Sequence, residues 1–184
     1  IKAVRECRNI RLSGCQVVSQ EFGWKCDNVS LENTSVTAEY LFLDSNNVTL
    51  DHVHMKGKYS FQYMENLTIR DSILDTKDAF WHSRNVTVIN STVKGEYLAW
   101  YSENLRLENC RIIGTQPFCY CKNLKLINCT VMGEGSLNKV NFSPRRIIEK
   151  AIQSSASSIV LALDSTDLIS GSPPYWTSPS FPCC

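Results

Sequence analysis

The sequence predicts an all-β fold, a right-handed parallel β-helix of about seven 19-residue coils, and three observations lead there. Asparagines stand at Asn9, Asn28, Asn47, Asn66, Asn85, Asn104 and Asn123, every nineteen residues without slippage. Each is followed by an apolar residue and by another two places further on, as in Val86 and Val88 or Leu105 and Leu107. An aromatic-rich segment then closes most units, as in Tyr40-Leu41-Phe42, Ala79-Phe80-Trp81 and Tyr97-Leu98-Ala99-Trp100.

Within a unit, the first apolar pair is spaced by two, which puts both side chains on one face of a strand. A second short strand ends at Val17, Val36, Met55, Leu74, Val93, Ile112 and Val131. Two residues earlier sits something small or modest: Cys15, Thr34, Val53, Ser72, Ser91, Cys110 and Cys129. A polar pair such as Ile89-Asn90 separates the two strands and suits a bend. The aromatic segment reads as a third strand. A unit of this size cannot bury its own apolar face, so it must stack on copies of itself. Like positions then lie about 4.8 Å apart, and seven coils make a rod of roughly 34 Å.

Nineteen is not a multiple of six, which argues against the left-handed hexapeptide type, and parallel crossovers are overwhelmingly right-handed. A leucine-rich repeat is the rival, since Leu124-Lys125-Leu126-Ile127-Asn128 echoes part of that pattern. Its units need more leucine and a helical return. The marker asparagine has a structural role in this reading. Asparagine tolerates the left-handed backbone region, and amides stacked in register can bond coil to coil.

The chain has 184 residues and a net charge of +1. That charge makes no electrostatic case for nucleic acid or for an anionic membrane surface. No apolar run approaches a membrane span, and no secretory signal opens the chain. Ile1 stands partway through a unit, so the expectation is an N-terminal end cut short, which leaves a lost signal open. Nine cysteines invite a disulfide reading. Cys15, Cys110 and Cys129 share one repeat column; Cys7, Cys26 and Cys121 share another. Side chains stacked in parallel point the same way, which suits a disulfide poorly, so buried thiols filling a column are favoured. Thiols favour a reducing, cytoplasmic setting. Sequons such as those at Asn66, Asn85 and Asn90 are by-products of the repeat.

The repeat therefore covers residues 1–132, and 133–184 form a non-repeat tail. The next marker position holds Phe142, and the composition shifts to serine and proline. Ser143-Pro144 followed by Arg145 to Ile152 reads as an N-capped helix over 144–154; the remainder reads as loose. Two explanations stand open: a cap on the end of the rod, or a stretch foreign to the fold, as from a shifted reading frame.

The units from Lys77-Asp78-Ala79-Phe80-Trp81-His82 to Val88, and from Gly95-Glu96-Tyr97 to Leu105, resemble an uncharacterised bacterial family. This is the domain of unknown function thirty-seven thirty-seven, a pectate-lyase-like right-handed β-helix. The resemblance covers about residues 1–132 and implies that fold. It assigns no chemistry to any residue, and it implies further coils where this chain has its tail.

Parallel β-helices acting on polysaccharide use a groove along one outer face, and aromatic rings stack on sugars. By the register, Tyr59, Asp78 and Tyr97 fall in one column, and Tyr63, His82 and Tyr101 in a second. Lys77 and Glu96 fall in a third. Lys77, Asp78, His82 and Glu96 form a candidate catalytic cluster: a carboxylate pair, an imidazole and a cation. Tyr59, Tyr63, Tyr97 and Tyr101 are candidate ring-binding residues. The plainer reading is favoured, in which Lys77 and Glu96 make a surface ion pair and the tyrosines brace the sheet. His52-x-His54 and Cys119-x-Cys121 offer two ligands each without a third, so no metal is expected, and no cofactor. The reading reached is a scaffold or binding module, with carbohydrate as the partner the rings suggest. A polysaccharide lyase or glycoside hydrolase is the alternative.

Overall fold

The computed structural model describes residues 2–132 and 159–162, the last four as backbone only. Its strands are β1 (Lys2–Arg5), β2 (Arg8–Ser13), β3 (Gln16–Trp24), β4 (Asp27–Glu32), β5 (Ser35–Leu41) and β6 (Asn46–Asp51). Next come β7 (His54–Lys58), β8 (Glu65–Arg70), β9 (Ile73–Lys77), β10 (Arg84–Ile89) and β11 (Thr92–Lys94). The last are β12 (Glu103–Glu108), β13 (Arg111–Ile113), β14 (Lys122–Ile127), β15 (Thr130–Met132) and β16 (Ile159–Ala162). Odd-numbered strands form one eight-stranded sheet and even-numbered strands another, each in sequential order. Every pairing is parallel, and Val86 stands opposite Leu67 on one side and Leu105 on the other. The nineteen-residue period is thus the coil of a β-solenoid.

Inward positions build the core. Val86 and Val88 of β10 and Val93 of β11 are buried, and the next coil repeats this with Leu105, Leu107 and Ile112. Burying each such side chain stabilises the fold by roughly 1.5–3 kcal/mol before chain entropy is counted. No single coil encloses these residues; each is covered by the coils on either side.

The third side of the coil is a strand only in the first coils, where β1 and the ends of β3 and β5 run through it; in the later coils it is not. Positive φ occurs at every second residue, at Tyr59, Phe61 and Tyr63, then Asp78, Phe80 and His82, then Tyr97, Ala99 and Tyr101. An alternately left-handed backbone cannot run extended, so the segment curls and closes the coil. Such a conformation costs a residue with a β-carbon about 1–2 kcal/mol. Coil-to-coil bonds offset it: the Phe80 amide donates to Ser60 O at 2.9 Å, and the His82 amide to Trp100 O at 3.0 Å. Ring stacking adds to these, with Phe61 over Phe80 at 5.2 Å and Phe42 over Phe61 at 6.3 Å. On this side Leu41 and Leu98 are buried, whereas Trp81 and Trp100 are half-buried. Their indole N–H groups donate to Tyr97 O and Gln116 O.

The asparagine column forms a ladder with one rung changed. Amide donates to amide from Asn28 to Asn9, Asn66 to Asn47, Asn85 to Asn66, Asn104 to Asn85 and Asn123 to Asn104, at 2.7–3.1 Å. Asn47 breaks the expected run: it donates to the Asp27 carboxylate at 2.8 Å instead of to Asn28. An ionised acceptor makes the stronger hydrogen bond, so it wins the amide. A second left-handed column, at the bend expected at Ile89-Asn90, runs through Gly14, Asn33, His52, Asp71, Asn90, Asn109 and Asn128, where one sheet hands over to the other.

Beside each left-handed corner runs a column of hydroxyls and thiols. Ser72 and Ser91 donate to carbonyls two residues back, Arg70 O and Ile89 O, at 2.6 and 2.7 Å. Their oxygens accept amide protons from the preceding coil, Val53 N and Ser72 N, each at 3.0 Å. Cys110 and Cys129 occupy the same column and point their sulfurs at the same kind of carbonyl, Glu108 O and Ile127 O. The cysteines stand where serine and threonine also serve, because each donates locally and fits the same space. Cys26, Cys110 and Cys121 are buried thiols, while Cys7 is exposed.

Ile159–Ala162, which the sequence reading placed in the tail, pairs in parallel with β14, Leu126 opposite Leu161. The helix expected over 144–154 lies outside the described residues.

Candidate functional site

The curled third side presents two outward columns, because alternate residues share a direction. Lys77, Asp78, Glu96 and Tyr97 come together at its entry. Lys77 Nζ lies 3.0 Å from a Glu96 carboxylate oxygen, with both side chains well exposed, and 5.7 Å from the centre of the Tyr97 ring. The Glu96 hydrogen bond, followed by its charge, holds the lysine pKa above its ordinary value. Asp78 is only 6% exposed. Burial raises its pKa, Lys77 partly offsets that, and Glu96 adds to the rise. Tyr59 stacks on Tyr40 at 5.1 Å.

His82 stands apart from this group, in the outer column. Its ring lies between Tyr63 at 5.0 Å and Tyr101 at 5.1 Å, nearly parallel to both, and Tyr101 stacks in turn on Tyr120 at 4.7 Å. Both faces of His82 and of Tyr101 are therefore covered, which leaves their edges for solvent. Stacking of a sugar on a ring needs a face. Tyr63 is 54% exposed and carries a ring on one face only, because the preceding column position is Asp44. The candidate residues thus fall into two groups: Lys77, Asp78, Glu96 and Tyr97 near one another, and Tyr63, His82 and Tyr101 in a separate stack.

At Asp44, the column position before Tyr63, the surface opens into a polar concavity of about 520 Å³, lined in part by Arg8, Lys25, Asp27, Asp44, Asn47 and Glu65. It lies where the curled side meets the start of β2, β4, β6 and β8. The sequence reading missed it. Asp44 replaces an aromatic in the outer column and Asp27 captures the Asn47 amide, so the regular columns change character there. That break in the repeat was the available signal. The groove offers three carboxylates, the amides of Asn46, Asn47 and Asn66 and two cations, a set that can hydrogen-bond hydroxyls and other neutral polar groups.

Ligating side chains converge elsewhere. His52 turns to Asp51 rather than to His54, with Nδ1 2.5 Å from Asp51 Oδ1. No helix among the described residues is long and apolar enough to cross a membrane.

A family model described as "Protein of unknown function (DUF3737)" matches residues 1–162. The match extends past the repeat and ends with β16. No curated protein and no solved structure matches the chain significantly.

Proposed function

Because the chain belongs to the DUF3737 family of proteins of unknown function, we propose a role argued from geometry: a non-catalytic β-solenoid module that binds an extended polar ligand of the carbohydrate class. We take the family to be a bacterial one of pectate-lyase-like β-helices, and the free thiols support a cytoplasmic setting. The observation that carries the reading is the polar groove lined by Asp44, Asn47 and Glu65, with the exposed ring of Tyr63 one coil on from Asp44. A pyranose stacked on the open Tyr63 face would direct its hydroxyls at Asp44, Asn47 and Glu65. Small-molecule sites combine apolar or ring faces with a few precisely placed polar groups.

A glycan array tests the reading, followed by titration of the best binder against Tyr63→Ala and Asp44→Ala. Loss of binding in both, with folding intact, supports it. Binding unchanged in both overturns it.

One observation favours a second reading, a lyase or glycoside hydrolase. The buried Asp78 has a raised pKa beside the Glu96 carboxylate, which is how a general acid is kept protonated. Reducing-sugar and unsaturated-uronate assays separate the two readings. Turnover abolished by Asp78→Ala or Glu96→Ala would replace the binding module with an enzyme.

A further inference from the structure

We propose that Asp51, His52 and Asp71 form a binding site for a divalent transition-metal ion, at the junction of the two sheets and away from the groove. Asp51 ends β6, His52 opens the bend after it, and Asp71 holds the His52 position one coil on. One ligand atom from each lies within 4.8 Å of the others. A carboxylate–imidazole–carboxylate set of this span can close on a single ion at ligand distances of roughly 2.0–2.2 Å by small side-chain rotations.

A second observation points the same way. In this left-handed column the side chains relay hydrogen bonds toward the N-terminus: Asn109 donates to Asn90 at 3.2 Å, and Asn90 donates to Asp71 at 3.2 Å. Asp71 has no N–H to pass the relay on. His52, the next member, has turned its Nδ1 to Asp51. The amide column therefore ends against two carboxylates and an imidazole, a set of electron-pair donors on which a cation can be held. The ion takes the place of the proton between His52 and Asp51, which leaves to solvent, and solvent fills the remaining ligand positions.

The donor set selects among ions. An imidazole nitrogen with two carboxylates suits zinc, cobalt, nickel or manganese better than calcium or magnesium, which prefer all-oxygen shells. The Asn90 amide, bonded to Asp71 Oδ1, acts as the outer partner that holds a ligand in place. Arg70, in register with Asp51, opposes the ion by its charge.

Calorimetric titration with zinc chloride, and cobalt(II) absorption as a second readout, test the site on the full chain. The expected result is saturable uptake of one ion that His52→Asn and Asp71→Asn each weaken by about tenfold or more. His54→Asn leaves uptake unchanged, and Arg70→Gln tightens it. His52→Asn places an amide where the column already uses amides, so far-UV circular dichroism should show an intact solenoid. Uptake that persists in both His52→Asn and Asp71→Asn overturns the site, as does the absence of saturable uptake below about millimolar metal.

Discussion

The side-chain amide of Asn85 donates to Oδ1 of Asn66 at 3.1 Å, and Asn85 holds φ at 55° while doing so. Asn85 also accepts from Asn104. Replacing it separates two contributions. Asn85→Ala loses both amide bonds and keeps a β-carbon in the left-handed region, at a combined cost of about 2–3 kcal/mol. Asn85→Gly loses the bonds but relieves the backbone, so it should cost about 1 kcal/mol. Urea denaturation midpoints check the order; equal losses would mean that backbone conformation has no share in the role of this asparagine.

Asn85 also shows how far the sequence could be read. Its column was legible because one residue type met both the conformational and the hydrogen-bonding need at every coil. The coil period, the parallel stacking and the apolar faces followed from it. The curled side was not legible as such. Phe61, Tyr63, Phe80 and His82 all adopt positive φ, a state that aromatic residues rarely signal, and so their column was read as a strand. The groove was missed because it is defined by what interrupts a column, Asp44 and Asp27, rather than by a motif of its own.

Two glycines test close approach against conformation. A β-carbon on Gly114 would stand 1.7 Å from Gly95 O, whereas one on Gly14 meets nothing within 4 Å at a φ of 63°. Gly114→Ala must push adjacent coils apart, so a loss of more than about 3 kcal/mol or failure to fold is expected. Gly14→Ala should cost about 1 kcal/mol. Gly14→Asn should be near neutral, because it restores the residue type the column uses. Thermal denaturation of the three variants gives the ranking.

Cysteine reactivity should follow the hydrogen-bond columns. The neighbouring Cys110 thiol lowers the Cys129 pKa below the ordinary thiol range, and burial pushes Cys121 up to about 12. Since thiolate is the nucleophile, Cys129 should alkylate faster than an ordinary thiol near neutral pH, while Cys121 stays inert in the folded chain. Iodoacetamide labelling followed by peptide mass mapping gives each rate. Cys110→Ser should leave the fold intact, as serine already fills that column at Ser72 and Ser91. It should change the pH at which Cys129 reacts, because the hydroxyl replaces the thiol as hydrogen-bond donor. Equal labelling of Cys121 and Cys129 would contradict this account.

Asp78 provides the pH test. Burial is the leading cause of its raised pKa, with Glu96 adding and Lys77 subtracting. A carboxyl whose folded pKa exceeds its unfolded value favours the folded state most when protonated. Its contribution is therefore fully present below the ordinary aspartate range and is lost as pH rises through the folded value. Asp78→Asn removes that loss. Asparagine matches the shape and tolerates the φ of 53° found here. Lys77 keeps its partner, since Glu96 lies 3.0 Å from it. The variant should melt higher than the parent near neutral pH, and the gap should close as pH falls to about 3. Melting curves at both ends of that range decide it. A variant less stable at neutral pH would show that the ionised carboxylate is held by Lys77 more firmly than burial disfavours it. In that event the protonated Asp78 required of a general acid would be absent at neutral pH, and the hydrolase reading would lose its proton donor.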